Sequence, residues 1–258
     1  MKQYILITGA SSGIGFEMAH RLAALKYNLI LTARSEEKLE AMQQDLSSKY
    51  GITVHYMPKD LGQPEQAAEL FDDIKLAGYQ VSHLVNNAGY GVYGSFVQTS
   101  LKSELNMIDL NVSSLVILTK LFARDMVAQK SGRIMNVSSV IAYLPFPYQS
   151  VYSATKAFVL AFSQTLAAEL EGTGVVVTTL APGVTETAFI SPEMRQTNLV
   201  KSNKPTPVGT VAAEGVKLLL YGEGKKIIGF QNRLNSFLAA VMPDQVMMKI
   251  KMKLASVR

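Results

Sequence analysis

The sequence predicts a doubly wound α/β domain, a parallel seven-stranded sheet with helices on both faces. Three observations carry that expectation. The 258 residues are 48% hydrophobic and 17% charged, a globular composition in a length that suits one large domain. Seven short β-rich apolar runs alternate with longer amphipathic stretches, which implies right-handed βαβ crossovers within one sheet. A glycine-rich turn separates the first run from the first helical stretch.

In chain order the expected strands are Tyr4–Thr8, Leu29–Thr32, Thr53–Met57, His83–Asn86, Arg133–Val137, Val175–Leu180 and Lys226–Phe230. The expected helices are 13–26, 35–49, 63–77, 100–129, 151–171 and 207–221. One uninterrupted series leaves no boundary for a second domain, so residues 1–230 read as a single domain. Residues 231–258 read as a basic, Met-rich helical extension. The irregular stretch 184–206, with Pro192 and Pro205, follows the sixth strand. Long loops at the carboxyl ends of parallel strands border the ligand crevice, so this one is expected to be a substrate loop or lid.

Composition removes whole classes of function. Cysteine is absent, which excludes disulfide scaffolds, cysteine-held zinc, iron–sulfur clusters and thiol catalysis. The three histidines, His20, His55 and His83, are far apart, and no metal is expected. No apolar run reaches the ~18–20 residues of a membrane span, and the opening segment is too short in apolar residues for a signal peptide, so a cytoplasmic protein is expected. The net charge is +5, but residues 225–258 alone carry +6, from Lys225, Lys226, Arg233, Lys249, Lys251, Lys253 and Arg258 against Asp244. The charge belongs to the tail, so nucleic acid is not an expected partner. A solvated helix face is expected there, with contact to an anionic membrane surface as the alternative. The tail methionines Met242, Met247, Met248 and Met252 fit flexible packing.

The turn after the first strand reads Thr8-Gly9-Ala10-Ser11-Ser12-Gly13-Ile14-Gly15. Gly9 permits a tight turn, Gly13 lets the backbone approach a pyrophosphate, and Gly15 lets the helix pack on the sheet. The helix N-terminus then offers unpaired N–H groups and a positive dipole end to phosphate. At the end of the second strand, where NAD sites place a carboxylate for the ribose 2′-hydroxyl, stand Ala33 and Arg34. A guanidinium there suits a 2′-phosphate, so NADP(H) is expected, with NAD(H) as the second candidate. Asp60, after the third strand, is a candidate for the adenine amino group, with a helix cap as the competing role.

Tyr152-Ser153-Ala154-Thr155-Lys156 opens a helix after the fifth strand. Four-residue spacing puts phenol and ammonium on one face, a turn apart. A neighbouring ammonium, joined by the charge of an oxidised nicotinamide, favours phenolate and moves a phenol toward working pH, so the pair can exchange a proton with a carbonyl or alcohol oxygen. Ser139, at the end of the fifth strand, can bring a hydroxyl to the same edge.

Together these residues resemble the short-chain dehydrogenase/reductase family. Six segments match in order along most of the chain: Thr8-Gly9-x-x-x-Gly13-x-Gly15, Asn86-Asn87-Ala88-Gly89, Asn111, Ser139, Tyr152-x-x-x-Lys156 and Pro182-Gly183-x-x-x-Thr187. The resemblance implies a Rossmann-type fold and carbonyl–alcohol interconversion by hydride transfer. It makes Tyr152 the general acid/base, with Lys156 at the nicotinamide ribose, lowering the phenol's pKa. Ser139 orients the substrate oxygen and Asn111 holds a water in a proton relay. The cofactor is then lined by Gly9, Ser11, Ser12, Gly13, Ile14, Gly15, Arg34, Asp60, Leu61, Asn87, Ala88 and Gly89. At its nicotinamide end come Tyr152, Lys156, Pro182, Gly183, Val184 and Thr187. One departure stands out: NADP-preferring members often carry a second basic residue in the glycine loop, where this chain has Ser12. The long tail resembles the branch described generically as DltE-type.

The loops around the site hold Tyr90, Tyr93, Phe96, Ile141, Tyr143, Leu144, Phe146, Tyr148, Phe189 and Ile190, and residues 139–155 hold no charge. An apolar pocket for a small lipophilic carbonyl is expected. Helices 100–129 and 151–171 carry surplus apolar residues, among them Leu115, Val116, Leu118, Leu121, Phe122 and Met126, then Phe158, Leu160, Phe162, Leu166 and Leu170. In the family these helices pair across a two-fold axis, so a homodimer is expected, with a tetramer second. The competing functional readings are a non-catalytic dinucleotide-binding regulator, and a membrane-surface or scaffold protein acting through the tail.

Overall fold

The computed structural model describes residues 2–187, 189, 192–198, 205–242 and 244–255. Strands β1 (Gln3–Thr8), β2 (Asn28–Thr32), β3 (Val54–Tyr56), β4 (Gln80–Asn86), β5 (Gly132–Val137), β6 (Val175–Ala181) and β7 (Gly224–Ile227) form one sheet. Its order is β3-β2-β1-β4-β5-β6-β7, with every pairing parallel. Helices α1 (Gly13–Ala24), α2 (Glu36–Tyr50), α3 (Pro64–Leu76), α4 (Leu101–Ile108), α5 (Ser114–Ala128) and α6 (Ser150–Glu169) follow in turn. After β6 come α7 (Pro192–Arg195, one turn), α8 (Val208–Tyr221), α9 (Phe230–Val241) and α10 (Asp244–Ala255).

The apolar runs have a simple physical cause. Successive strand side chains point to opposite faces, and both faces of a parallel sheet are covered by helices. Ile5 and Ile7 of β1 therefore join Met18, Leu22, Leu39 and Leu219 in one core layer. Leu6 joins Leu70, Leu84, Phe122, Ile134 and Val177 in the other. Each fully buried Leu, Ile or Phe side chain contributes about 1.5–3 kcal/mol, so the two layers hold the sheet edges where the site needs them.

Four expectations change. The last strand is Gly224–Ile227, not Lys226–Phe230, because Gly229 turns the chain at φ +90° and Phe230 begins a helix. The helix expected at 100–129 is interrupted by a π turn at Asp109–Ser113. That 28-residue run is also long and apolar enough to cross a membrane, contrary to the reading of the sequence. Here its inner side packs on β4, β5 and α3. The apolar surplus on the two long helices shrinks as well: Leu115, Leu118, Phe122, Met126 and Leu160 are buried core residues. What remains is Phe158, exposed on α6 and stacked 5.8 Å between ring centroids on the half-buried Phe162, with Val116 and Leu121 half-buried on α5.

Candidate active site

In this strand order the crevice opens where β1 and β4 lie side by side and their connections diverge to opposite faces. The glycine turn sits there. Gly9 and Gly13 adopt φ +63° and +58°, a left-handed backbone that other residues take only under strain. Gly15 is needed for space: a methyl group there would stand 2.5 Å from Asn87 Nδ2 and 2.6 Å from the Gly9 carbonyl oxygen. Asn87 Nδ2 donates to the carbonyls of Thr8 (2.9 Å) and Gly9 (3.2 Å). The Thr8 hydroxyl in return accepts from the N–H groups of Asn87 (3.0 Å) and Ala88 (2.9 Å). The loop is thus tied across the sheet before any ligand arrives.

Ser12 is the N-cap of α1, yet no side chain caps that helix and its first turn holds no acid. Its leading N–H groups are therefore left without a side-chain partner and could hold a phosphate, flanked by Ser11 and Ile14. The Thr187 methyl lies 3.4 Å from where a Cβ on Gly13 would stand, so the loop after β6 meets the glycine turn. That loop is fixed by a bridge between Thr185 and Thr206 and by the Val184 carbonyl accepting from Thr206 at 2.9 Å. Arg34 is exposed at the end of β2, and no hydrogen bond or ion pair engages it among the described residues. A dinucleotide with a 2′-phosphate fits this donor set. Asp60 is partly committed: its Oδ1 accepts from the Gly62 N–H at 3.0 Å. The Leu61 side chain is buried in the core and its carbonyl accepts from Ser114 Oγ at 2.6 Å, which leaves its N–H to face a ligand.

Ser139 follows β5 and caps a short turn, accepting from Ile141 N–H at 3.3 Å and donating to the Pro182 carbonyl at 3.3 Å. Tyr152 and Lys156 lie one turn apart on α6, both buried, with the Lys156 Nζ 5.9 Å from the Tyr152 ring centroid. The ammonium donates to the Val137 carbonyl at 2.9 Å, while Ser138 Oγ donates to the Lys156 carbonyl at 2.8 Å. Asn111 is buried in the π turn. Its Oδ1 accepts from Tyr90 N–H (3.2 Å), and its Nδ2 donates to the Tyr90 carbonyl (3.0 Å) and to Thr155 Oγ1 (3.1 Å). Gly89 packs over the pair, because a methyl there would stand 2.9 Å from Asn111 Oδ1 and 3.4 Å from Lys156 Nζ.

Burial pushes the Lys156 ammonium down to about 8. Burial also pushes the Tyr152 phenol well above its usual range, and a hydrogen bond with the Ser139 hydroxyl draws it part of the way back. Desolvation is the larger effect on this phenol; the expected lowering by the lysine counts the charge of an oxidised nicotinamide as well. The phenol is held protonated, ready to donate.

Tyr152 belongs to an apolar cluster with Met107, Ile141, Phe146 and Ala255, against which Tyr90, Val92, Val151 and Leu254 pack. The Phe189 ring lies over it at 5.5 Å between centroids. Tyr93, 5.9 Å from the Tyr148 ring, donates its hydroxyl to the Ala255 carbonyl at 2.8 Å. The structure removes two residues from the expected wall: Phe96 is exposed, and Tyr143 lies beneath Lys225, with Nζ 5.4 Å from its ring centroid. Ile190 falls outside the described residues. Leu254, Ala255 and the bracing hydroxyl of Thr155 went unread. Thr155 could have been found from its place between Tyr152 and Lys156, but no local signal marks the end of a tail as part of a pocket 162 positions away.

The strand order, the glycine turn and the Ser–Tyr–Lys constellation define a dinucleotide-dependent oxidoreductase of CH–OH and C=O groups. The chain belongs to the short chain dehydrogenase family, whose model matches residues 3–198. It is 38% identical over 191 residues to sulfoacetaldehyde reductase 2 of Chromohalobacter salexigens, covering 73% of this chain and 75% of that one. It is 30% identical over 265 residues to a very-long-chain 3-oxoacyl-CoA reductase of Anas platyrhynchos, covering 97% and 79%. Among solved structures, a short-chain dehydrogenase from Sphingobium yanoikuyae in complex with NADPH superposes with a TM-score of 0.82 at 30% identity, covering 92% of this chain and 93% of that one. The cofactor is a nicotinamide dinucleotide, NAD(P)(H).

Proposed function

We propose that the protein is an NADPH-preferring reductase of a lipophilic ketone or aldehyde. The observation that carries this reading is the apolar cluster closed around a buried, protonated Tyr152 beside Ser139. Gly9, Ser11, Ser12, Gly13, Ile14 and Gly15 would hold the pyrophosphate, Arg34 the 2′-phosphate, and Asp60 the adenine end. Asn87, Ala88 and Gly89 would line the middle, and Pro182, Gly183, Val184 and Thr187 the nicotinamide. When bound, the dinucleotide supplies the hydride. Ser139 holds the carbonyl oxygen, and Tyr152 gives that oxygen its proton; in the oxidative direction the phenolate takes it back. Lys156 holds the nicotinamide ribose and stabilises the phenolate left after transfer.

Both N–H donors of the Asn111 amide are committed, to the Tyr90 carbonyl and Thr155 Oγ1, and its Oδ1 holds the Tyr90 N–H. Its part in the relay is therefore to fix the π turn, where the loosened helical ladder offers a main-chain carbonyl to a water beside Lys156. The name of the Chromohalobacter relative gives a small anionic substrate, whereas among the described residues the side chains packed around Tyr152 are apolar apart from Ser139 and Lys156. The name of the Anas relative gives a long acyl chain, which this wall suits better. A panel of apolar and charged carbonyls, followed by NADPH oxidation, tests the reading. Turnover of bulky apolar ketones is expected, and a protein that binds NADPH yet reduces only charged carbonyls would overturn it.

The stacked Phe158 and Phe162 support a homodimer built on the outer side of α6.

A further inference from the structure

Helix α9 is built inside out. Asn232, Ser236 and Ala239 lie toward the domain: the Asn232 amide packs over Gly183, and Ser236 is buried. Outward stand Phe230, Leu234, Phe237, Leu238 and Val241, which are 71, 39, 65, 39 and 63% exposed. At 3.6 residues per turn these five positions fall within an arc of about 100°. A helix docked on a domain ordinarily turns such a stripe inward, so this one faces an absent partner. Arg233 borders the stripe and is exposed, and α10 continues the surface with exposed Val246, Met248, Lys249 and Met252. Asp244 is the sole acid in residues 225–258.

We propose that α9 lies in the surface of an anionic lipid bilayer, its aromatic and aliphatic stripe in the acyl boundary and the exposed Arg233 and Lys249 at the headgroups. An apolar face with Phe and Leu beside Arg and Lys has the character of an interfacial helix. Charge decides between a bilayer and a second copy of the chain. A two-fold contact through this face would bring a second Arg233 and Lys249 to the same interface with no added acid from the stripe, whereas anionic headgroups neutralise them. The inference stands apart from the catalytic reading, since no residue of the stripe is placed in the active site.

The test is flotation of the full chain with vesicles of phosphatidylcholine alone or mixed with phosphatidylglycerol. The unaltered protein is expected to float with the mixed vesicles, to bind neutral ones weakly, and to be released by about 0.5 M salt. Leu234→Glu combined with Phe237→Glu should lower the vesicle partition by about 100-fold. Leu76→Glu, which adds one charge at an exposed leucine on α3, should leave it unchanged. NADPH binding by each variant checks that the fold is intact. Absence of flotation with anionic vesicles would overturn the proposal. So would a solution mass that halves when the two glutamates are introduced, because a second copy would then occupy the stripe.

Discussion

The Tyr93 hydroxyl donates to the carbonyl of Ala255 at 2.8 Å, fastening the end of the last helix to the loop that borders Tyr152. The tail is therefore part of the apolar cluster around Tyr152, and of the substrate wall in the proposed reading. Tyr93→Phe removes this bond and leaves the ring, for a loss of about 0.5–1.5 kcal/mol. The expected result is a small fall in Tm and a raised KM for bulky carbonyls, with kcat little changed. Equal kinetics on bulky and small substrates would detach the tail from specificity.

Tyr152→Phe keeps the buried ring and loses the transferable proton. Turnover should fall by about 10²–10⁴-fold while NADPH binding, followed by fluorescence titration, stays near that of the parent. Near-parental rates would remove Tyr152 from the chemistry.

Arg34 is exposed at the end of β2 without a partner among the described residues, and its replacement should be read by the cofactor alone. Arg34→Ala is expected to weaken NADPH by about 10- to 100-fold and hardly to touch NADH. Equal affinity for the two cofactors in the unaltered protein would defeat the assignment.

Burial lowers Lys156 to about 8 from an ordinary value of 10.5. Between these values the unfolded chain holds more protons than the folded one, so this group makes stability rise with pH across about 8 to 10.5. Below 8 the charged amine is buried at a cost. Lys156→Met should therefore gain most in Tm relative to the parent near pH 7, and the difference should narrow as pH climbs through that window. A difference flat in pH would show that Lys156 titrates normally.

A dimer through Phe158 and Phe162 predicts a sedimentation mass near twice 28.1 kDa at micromolar concentration. Phe158→Glu should shift it toward the monomer. A parent protein already monomeric would end that proposal.

Several features are legible in the sequence alone. The strands of a parallel sheet are buried on both faces, so each leaves an apolar run that length and flanking glycines identify. The glycine turn was legible because Gly9 and Gly13 need a backbone only glycine takes freely, and Gly15 leaves no room for a methyl. Tyr152 and Lys156 were legible because one helical turn fixes their spacing.

Non-local matters were decided only in three dimensions. Whether Leu118 and Phe122 face the core or a partner depends on which neighbours cover α5, and periodicity does not name the neighbour. The break at Asn111 arises where its amide reaches Tyr90 and Thr155, contacts 21 and 44 positions away, so no local propensity announces a π turn. The protonation of Tyr152 follows from desolvation, which exists only once Ile141, Phe146 and Ala255 close around the ring. Chain-local chemistry fixed which groups can react; packing between distant segments decided their environment, because burial and charge state belong to the assembled surroundings.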